Sequence, residues 1–240
     1  MITILIKEIN EFLDSLIAYV VMCVFLTGIG LLTWVFPDTN VLDYGYASLE
    51  TLFSLAPYVF MFLIPAITMK SFAEEKRSGT LELLYTLPFR QHDIVLGKFL
   101  AGFLLVIVSL VPTLIYYYSL SALGNPVGNL DTPGIIGSYI GLALLGGVFT
   151  AVGIFASAIT QNQIVSFITS AFLCYVLYSG FDSVADLTLW GNQSSIVESM
   201  GMLFHYNSLS RGVIDLTDIA YFVGLGYFLL LLTVLIMKRR

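Results

Sequence analysis

Six segments of this 240-residue chain each run for 18 or more residues without one Asp, Glu, Lys, Arg or His: 16–36, 52–69, 99–121, 135–159, 164–181 and 219–237. No other feature restricts the fold as much. A helix of about 20 mainly apolar residues crosses the hydrocarbon of a bilayer, and a spanning segment must satisfy its backbone internally. A helix on a soluble domain instead keeps a polar stripe along one side. The segments therefore predict an all-α membrane protein with six transmembrane helices.

Composition agrees: 11% of the residues are charged and mean hydropathy is +0.92, against roughly a quarter charged in soluble domains. The six spans occupy about half the chain, so residues 1–240 read as a single transmembrane domain with no room for a soluble one. The net charge of −6, with no basic stripe, excludes a nucleic-acid binder. Cys23 and Cys174 both fall inside spans without metal-ligand spacing and read as packing residues.

With the N-terminus in the cytoplasm, Lys7, Lys70, Lys76, Arg77, Arg90, Lys98, Lys238, Arg239 and Arg240 lie inside, and Arg211 alone lies outside. Inner loops of membrane proteins are enriched in Lys and Arg, so both termini are expected in the cytoplasm. Trp34 and the run Tyr116, Tyr117, Tyr118 then mark outer interfaces. Ahead of the first span, Ile2, Leu5, Ile6, Ile9, Phe12, Leu13 and Leu16 recur at helical spacing, with Lys7, Glu8, Glu11 and Asp14 mostly on the other side. This predicts an N-terminal interfacial helix lying on the membrane surface, and its charges speak against a cleavable signal.

The longest inner loop, 70–98, holds half of the basic residues. Glu74, Glu75, Lys76 and Arg77 extend the second helix into water. Ser78 and Gly79 end it, since glycine readily takes the left-handed conformation of a helix stop. Thr80 is placed to cap a new short helix with Leu81, Leu84 and Tyr85 on one face, and Pro88 limits it to about two turns. So short a helix is not stable alone and must lie on the membrane or on a partner. The residues themselves leave two readings open, a helical turn beneath the bundle or a docking helix.

Glu75, Gly79, Thr80, Leu81, Glu82, Leu84, Tyr85 and Pro88, with Asp93 to Lys98 leading into the third span, resemble the first cytoplasmic loop of the ABC-2 family of ATP-binding-cassette transporter permeases. The segment from Arg211 to Asp218, followed by Tyr221 and Phe222, also matches that family, and in detail the chain is similar to its gliding-motility-associated permease subunits. The resemblance implies a permease subunit of an ATP-driven exporter, working with a separate ABC ATPase subunit and with a second permease copy or a related membrane subunit. The loop helix would be a cytoplasmic coupling helix, with Glu74, Glu75, Lys76, Arg77, Gly79, Thr80, Leu81, Glu82, Leu84 and Pro88 as the ATPase-coupling residues. ATP would sit on the partner and no cofactor on this chain, which has no phosphate-binding loop; Gly97-Lys98 is followed by Phe99 and lacks the upstream glycine. The alternative is a membrane scaffold of a motility or secretion complex that moves no solute.

No span carries the charge that an ion-coupled transporter or an intramembrane enzyme needs. His92 and His205 fall in opposite compartments and read as ordinary loop or interface residues. Segment 182–218 is too apolar for a free loop and too short in each apolar run to cross. It predicts re-entrant outer helices before the last span, bent at Gly201, Asn207-Ser208 and Gly212, with Arg211 and Asp215 one turn apart as partners. In the fourth span Gly137, Gly141, Gly146, Thr150, Gly153 and Ser157 form a small-residue stripe that lets helix backbones approach closely. Pro57, Pro65 and Pro112 are expected to bend their helices.

Overall fold

The computed structural model describes residues 2–37, 39–42, 47–82, 90–186 and 194–238. Among them the chain is helical without strands, and six helical segments are long and apolar enough to span a bilayer. Helix α1 (Ile2–Leu13) leads into α2 (Leu16–Trp34). The second span is α3 (Glu50–Thr68), continued by α4 (Lys70–Ser78). The third joins α5 (Gln91–Leu110) to α6 (Leu114–Leu123) through a 3₁₀ turn, Val111–Thr113. Pro112 lies in that turn, where its missing N–H and ring would have interrupted an α-helix. The fourth span is α7 (Thr132–Ile159) and the fifth α8 (Gln163–Tyr175). Short helices α9 (Phe181–Ala185), α10 (Ser194–Glu198) and α11 (Met202–Ser210) precede the last span, α12 (Leu216–Lys238).

Helix α7 is the axis of the bundle. Of its most apolar window 78% lies inside the protein, against 22% for the α8 span and 28% for α2. Its glycines explain this position. A Cβ on Gly153 would come within 1.9 Å of the Thr68 hydroxyl oxygen, and one on Gly146 within 2.6 Å of Val106. Thr150 meets Gly102 of α5. The neighbours of this stripe are therefore α3 and α5 of the same chain. Gly137 and Gly141 instead meet Leu209 and Tyr206 of α11. With lipid tails as apolar as the side chains, such close backbone packing is what holds membrane helices together.

Two segments depart from the sequence reading. Asn207 and Ser208, expected at a bend, lie within the continuous helix α11; of the three expected bends the chain keeps the two at its ends, at Gly201 just before α11 and at Gly212, whose φ of +80° and approach to Pro133 and Gly134 suit glycine alone. The fifth span also holds an unforeseen π-helical turn, Val176–Gly180, where Tyr178 is buried against Tyr58 and Phe149.

Candidate functional site

The bundle has one basic end, carrying α1, α4, the start of α5 and the end of α12, and an opposite end carrying α6, α9, α10 and α11. The basic end is held by two junctions. At the first, α3 breaks at Met69 and α4 begins. In an unbroken helix the N–H groups of Phe72 and Ala73 would donate to carbonyls four residues back. Here both donate to the Ser157 hydroxyl of α7, at 2.8 and 2.9 Å, and Ser157 donates in turn to the Met69 carbonyl at 3.0 Å. A side chain inserted into the hydrogen-bond ladder is a recognised cause of a kink. One turn on, the Lys76 ammonium donates to the Ala158 carbonyl. The base of α4 is thereby fastened to the end of α7.

The second junction is a buried ion cluster. Lys98, on the first turns of α5, is 2% exposed, and its ammonium lies 2.8 Å from a carboxylate oxygen of Glu8 and 2.8 Å from one of Glu75. The same ammonium stands 5.1 Å from the centre of the Phe72 ring, a favourable place for a cation. Lys7 adds a second, half-exposed cation, 3.5 Å from Glu8, 3.6 Å from Glu75 and 3.7 Å from Glu11. Burial alone would lower the Lys7 pKa; the carboxylates of Glu8, Glu75 and Glu11 outweigh it and hold the ammonium above its ordinary value. One cluster thus joins three helices: α1 through Glu8, α4 through Glu75 and α5 through Lys98. Gly97 permits the approach, since a Cβ there would fall 2.8 Å from Ile4.

The cluster also reorients α1. The face of α1 turned to the protein is Ile4, Glu8 and Phe12, whereas Ile2, Ile6 and Leu13 are exposed. The sequence reading put Glu8 on the polar side. It lies instead in the middle of the buried stripe, because its partner Lys98 is there to neutralise it.

At the opposite end, α11 is tied to α3 and α12. The Tyr206 hydroxyl donates to the Phe53 carbonyl at 2.7 Å. His205, one of the two histidines read as loop or interface residues, lies at the interface of α11 with α12: its Nδ1 is 2.7 Å from buried Asp218 and its Nε2 3.0 Å from the Ser199 carbonyl, and it stacks on Tyr221 with centroids 4.0 Å apart. Asp215 accepts from the Thr217 N–H at 3.0 Å, so it caps α12, and that bond lowers its pKa. Among the described residues Arg211 forms no ion pair with it.

Residues 36–237 match the family model described as ABC-2 family transporter protein. The chain belongs to this family. Membership makes it a membrane permease component of an ABC transporter and implies an ABC ATPase as its partner. No curated protein matches the chain.

On this ABC-2 permease the residues assigned to coupling by the sequence divide into two sets. Glu75 and Lys76 turn inward, to Lys98 and to the Ala158 carbonyl. Leu81 is buried in the main core. Glu74, Arg77, Gly79, Thr80 and Glu82 are exposed. Gly79 ends α4 with φ of +74°, the left-handed stop that its sequence position predicts. The Thr80 hydroxyl lies 2.8 Å from that of Ser78. Residues 80–82 are helical, and Leu84 and Pro88 fall outside the described residues. Sequence reasoning missed Lys98 and Glu8. In the sequence Lys98 counts toward the inner positive charge and closes the segment that resembles the family's first cytoplasmic loop, with nothing to name Glu8 as its partner. Its one sequence signal is a cation at the very edge of an apolar span, where a buried ion needs a partner.

Proposed function

We propose that this permease is the transmembrane subunit of an ATP-driven exporter, with its basic end in the cytoplasm and α4 receiving the mechanical input of the ATPase. What carries the reading is the two-sided character of α4. One side is locked into the protein by Glu75, Lys76 and the Ser157 bridge; the other presents Glu74 and Arg77 to solvent beside the exposed turn at Gly79 and Thr80. A push on the free side would pass through Ser157 to α7 and through Lys98 to α5 and α1. ATP would bind to the partner and no cofactor to this chain.

Several further features belong to the same reading. Helix α1 lies in the inner headgroup layer, with exposed Ile2, Ile6 and Leu13 toward lipid. Helices α10 and α11 are re-entrant from the outer side. The sparsely buried α2 and α8 spans leave apolar faces for lipid and for a second permease copy or a related subunit. A role in gliding motility is supported by the overall sequence resemblance.

Purification of the full chain from native membranes tests the proposal. A nucleotide-hydrolysing subunit should come with it, and Glu74→Arg with Arg77→Glu should lower its recovery while leaving the fold intact. Recovery of no ATPase, or labelling of residues 74–82 from the outside of intact cells, overturns the reading. An ATPase that co-purifies without any ATP-dependent solute movement in vesicles replaces export by scaffolding.

A further inference from the structure

The ring of His205 stands between two groups that carry lone pairs. Its Nδ1 is 2.7 Å from Asp218 Oδ1 and its Nε2 3.0 Å from the Ser199 carbonyl oxygen. A neutral imidazole has one N–H, and its other nitrogen is itself an acceptor. Facing a carboxylate and a carbonyl, it satisfies one contact and sets a lone pair against the other. Two protons on the pair satisfy both contacts, whether the ring is an imidazolium or a protonated Asp218 carboxyl donates to Nδ1. We propose that His205 and Asp218 form a proton-operated tie, which fastens the end of α10 to α11 while the pair holds two protons and releases it when one is lost.

Burial makes the proton count matter. The two side chains are 14% and 5% exposed. With two protons the pair is net neutral. With one it is a buried anion, and Asp218 Oδ2 is already buried there without a hydrogen-bond partner. The remaining proton belongs on Nδ1, because a carboxylate accepts more strongly than a carbonyl. The contact that breaks is therefore the one to Ser199.

The segment released is small. The N–H groups of Ser199, Met200 and Gly201 donate to the carbonyls of Ser195, Val197 and Glu198, closing the end of α10. The Tyr221 hydroxyl donates to the Met200 carbonyl at 2.6 Å, and Tyr206 holds α11 to the Phe53 carbonyl. Neither bond involves the titrating pair, so α11 stays on α3 and the opening is confined to the last turn of α10. The elements packed against α11 bring no competing charge to the ring. Tyr221 stacks on it, Phe204 and Phe222 meet it edge-on, and Tyr178 of the π-helical turn faces Tyr206 instead. Among the described residues Asp131 of α7, Asp182 of α9, Glu198 of α10, Arg211 after α11 and Asp215 before α12 form no ion pair with either member.

The test uses the full chain in nanodiscs without nucleotide or ATPase, so its outcome is independent of the coupling proposal. Amide hydrogen exchange at Ser199, Met200 and Gly201 is measured at about pH 5 and about pH 8, which bracket the range where an imidazole changes charge. The intrinsic pH dependence of exchange is divided out. Protection should fall about tenfold at the higher pH, as expected for the loss of one hydrogen bond from a charged donor. The fall should track proton loss at the His205 ring, followed by nitrogen NMR in a His92→Gln background. In Asp218→Asn an amide N–H donated to Nδ1 sets the ring proton on Nε2, so the Ser199 contact should persist at the higher pH and the dependence vanish. His205→Phe keeps a ring against Tyr221 and should show the low protection at both pH values. Equal protection of the native chain at the two pH values, a fall that does not track the ring, or a fall that survives in Asp218→Asn or His205→Phe overturns the proposal.

Discussion

Lys98→Met keeps the length of the side chain and removes the charge that lies 2.8 Å from both Glu8 and Glu75. At an effective dielectric constant near 20, one such contact is worth about 6 kcal/mol of direct attraction. Most of that is offset by desolvation, which costs several kcal/mol per buried ion. The net worth of the intact cluster is therefore small, yet its one-sided disruption is not. Glu8 and Glu75 have side chains 5% and 15% exposed, and without Lys98 they are left as neighbouring buried anions. Removing one partner of a buried pair costs about 3–5 kcal/mol. Lys7, 53% exposed and 3.5 to 3.6 Å from both carboxylates, recovers part of this, which places the loss near the lower bound, about 3 kcal/mol. The population of undocked α1 should rise about 150-fold. Hydrogen exchange of residues 2–13 in the purified full chain measures it directly. Adding Glu8→Gln and Glu75→Gln to Lys98→Met removes the stranded charges and should restore docking to within about 1 kcal/mol. Unchanged exchange in Lys98→Met, or a triple variant worse than the single one, refutes the view that these charges clamp α1, α4 and α5.

Ser157→Ala should strand the N–H groups of Phe72 and Ala73 and lower thermal stability by about 1–3 kcal/mol, with the fastest added exchange in α4. Gly137→Ala drives a Cβ to 2.2 Å from the Leu209 carbonyl oxygen, a backbone atom that cannot rotate away, and should cost about 1–3 kcal/mol by unfolding titration; Gly224→Ala, with nothing within 4 Å, should stay within about 0.5 kcal/mol. The lowered Asp215 pKa means that its cap on α12 is fully present above the ordinary carboxylate value of 3.8 and is lost as pH falls through the lower folded value. Exchange at the Thr217 amide should accelerate over that window in the native chain and not in Asp215→Asn, which keeps an acceptor without the titration.

Local features of the fold were legible because their causes are local. Apolar length marks a span wherever it occurs, and Gly79 and Pro112 break helices through their own backbone preferences. Position 157 shows where local reading stops. A serine on a small-residue stripe identifies a packing face, but its two backbone donors lie 85 and 84 residues away and exist only because α3 breaks. The His205 contacts have the same origin: Asp218 lies 13 residues on, across the turn at Gly212.

The sequence by itself determined the number of crossings, their alternation and the concentration of cations at one end, since transfer of apolar and charged groups between water and lipid acts on each segment separately. Only the tertiary structure decided that Glu8 belongs to the buried side of α1 and that Lys98 is its partner, 90 residues away. Periodicity specifies which face of a helix is apolar and leaves open which helix it meets. A buried charge is stable only where another chain segment delivers the opposite charge at contact distance, and here that delivery depends on Gly97 letting α1 lie against α5.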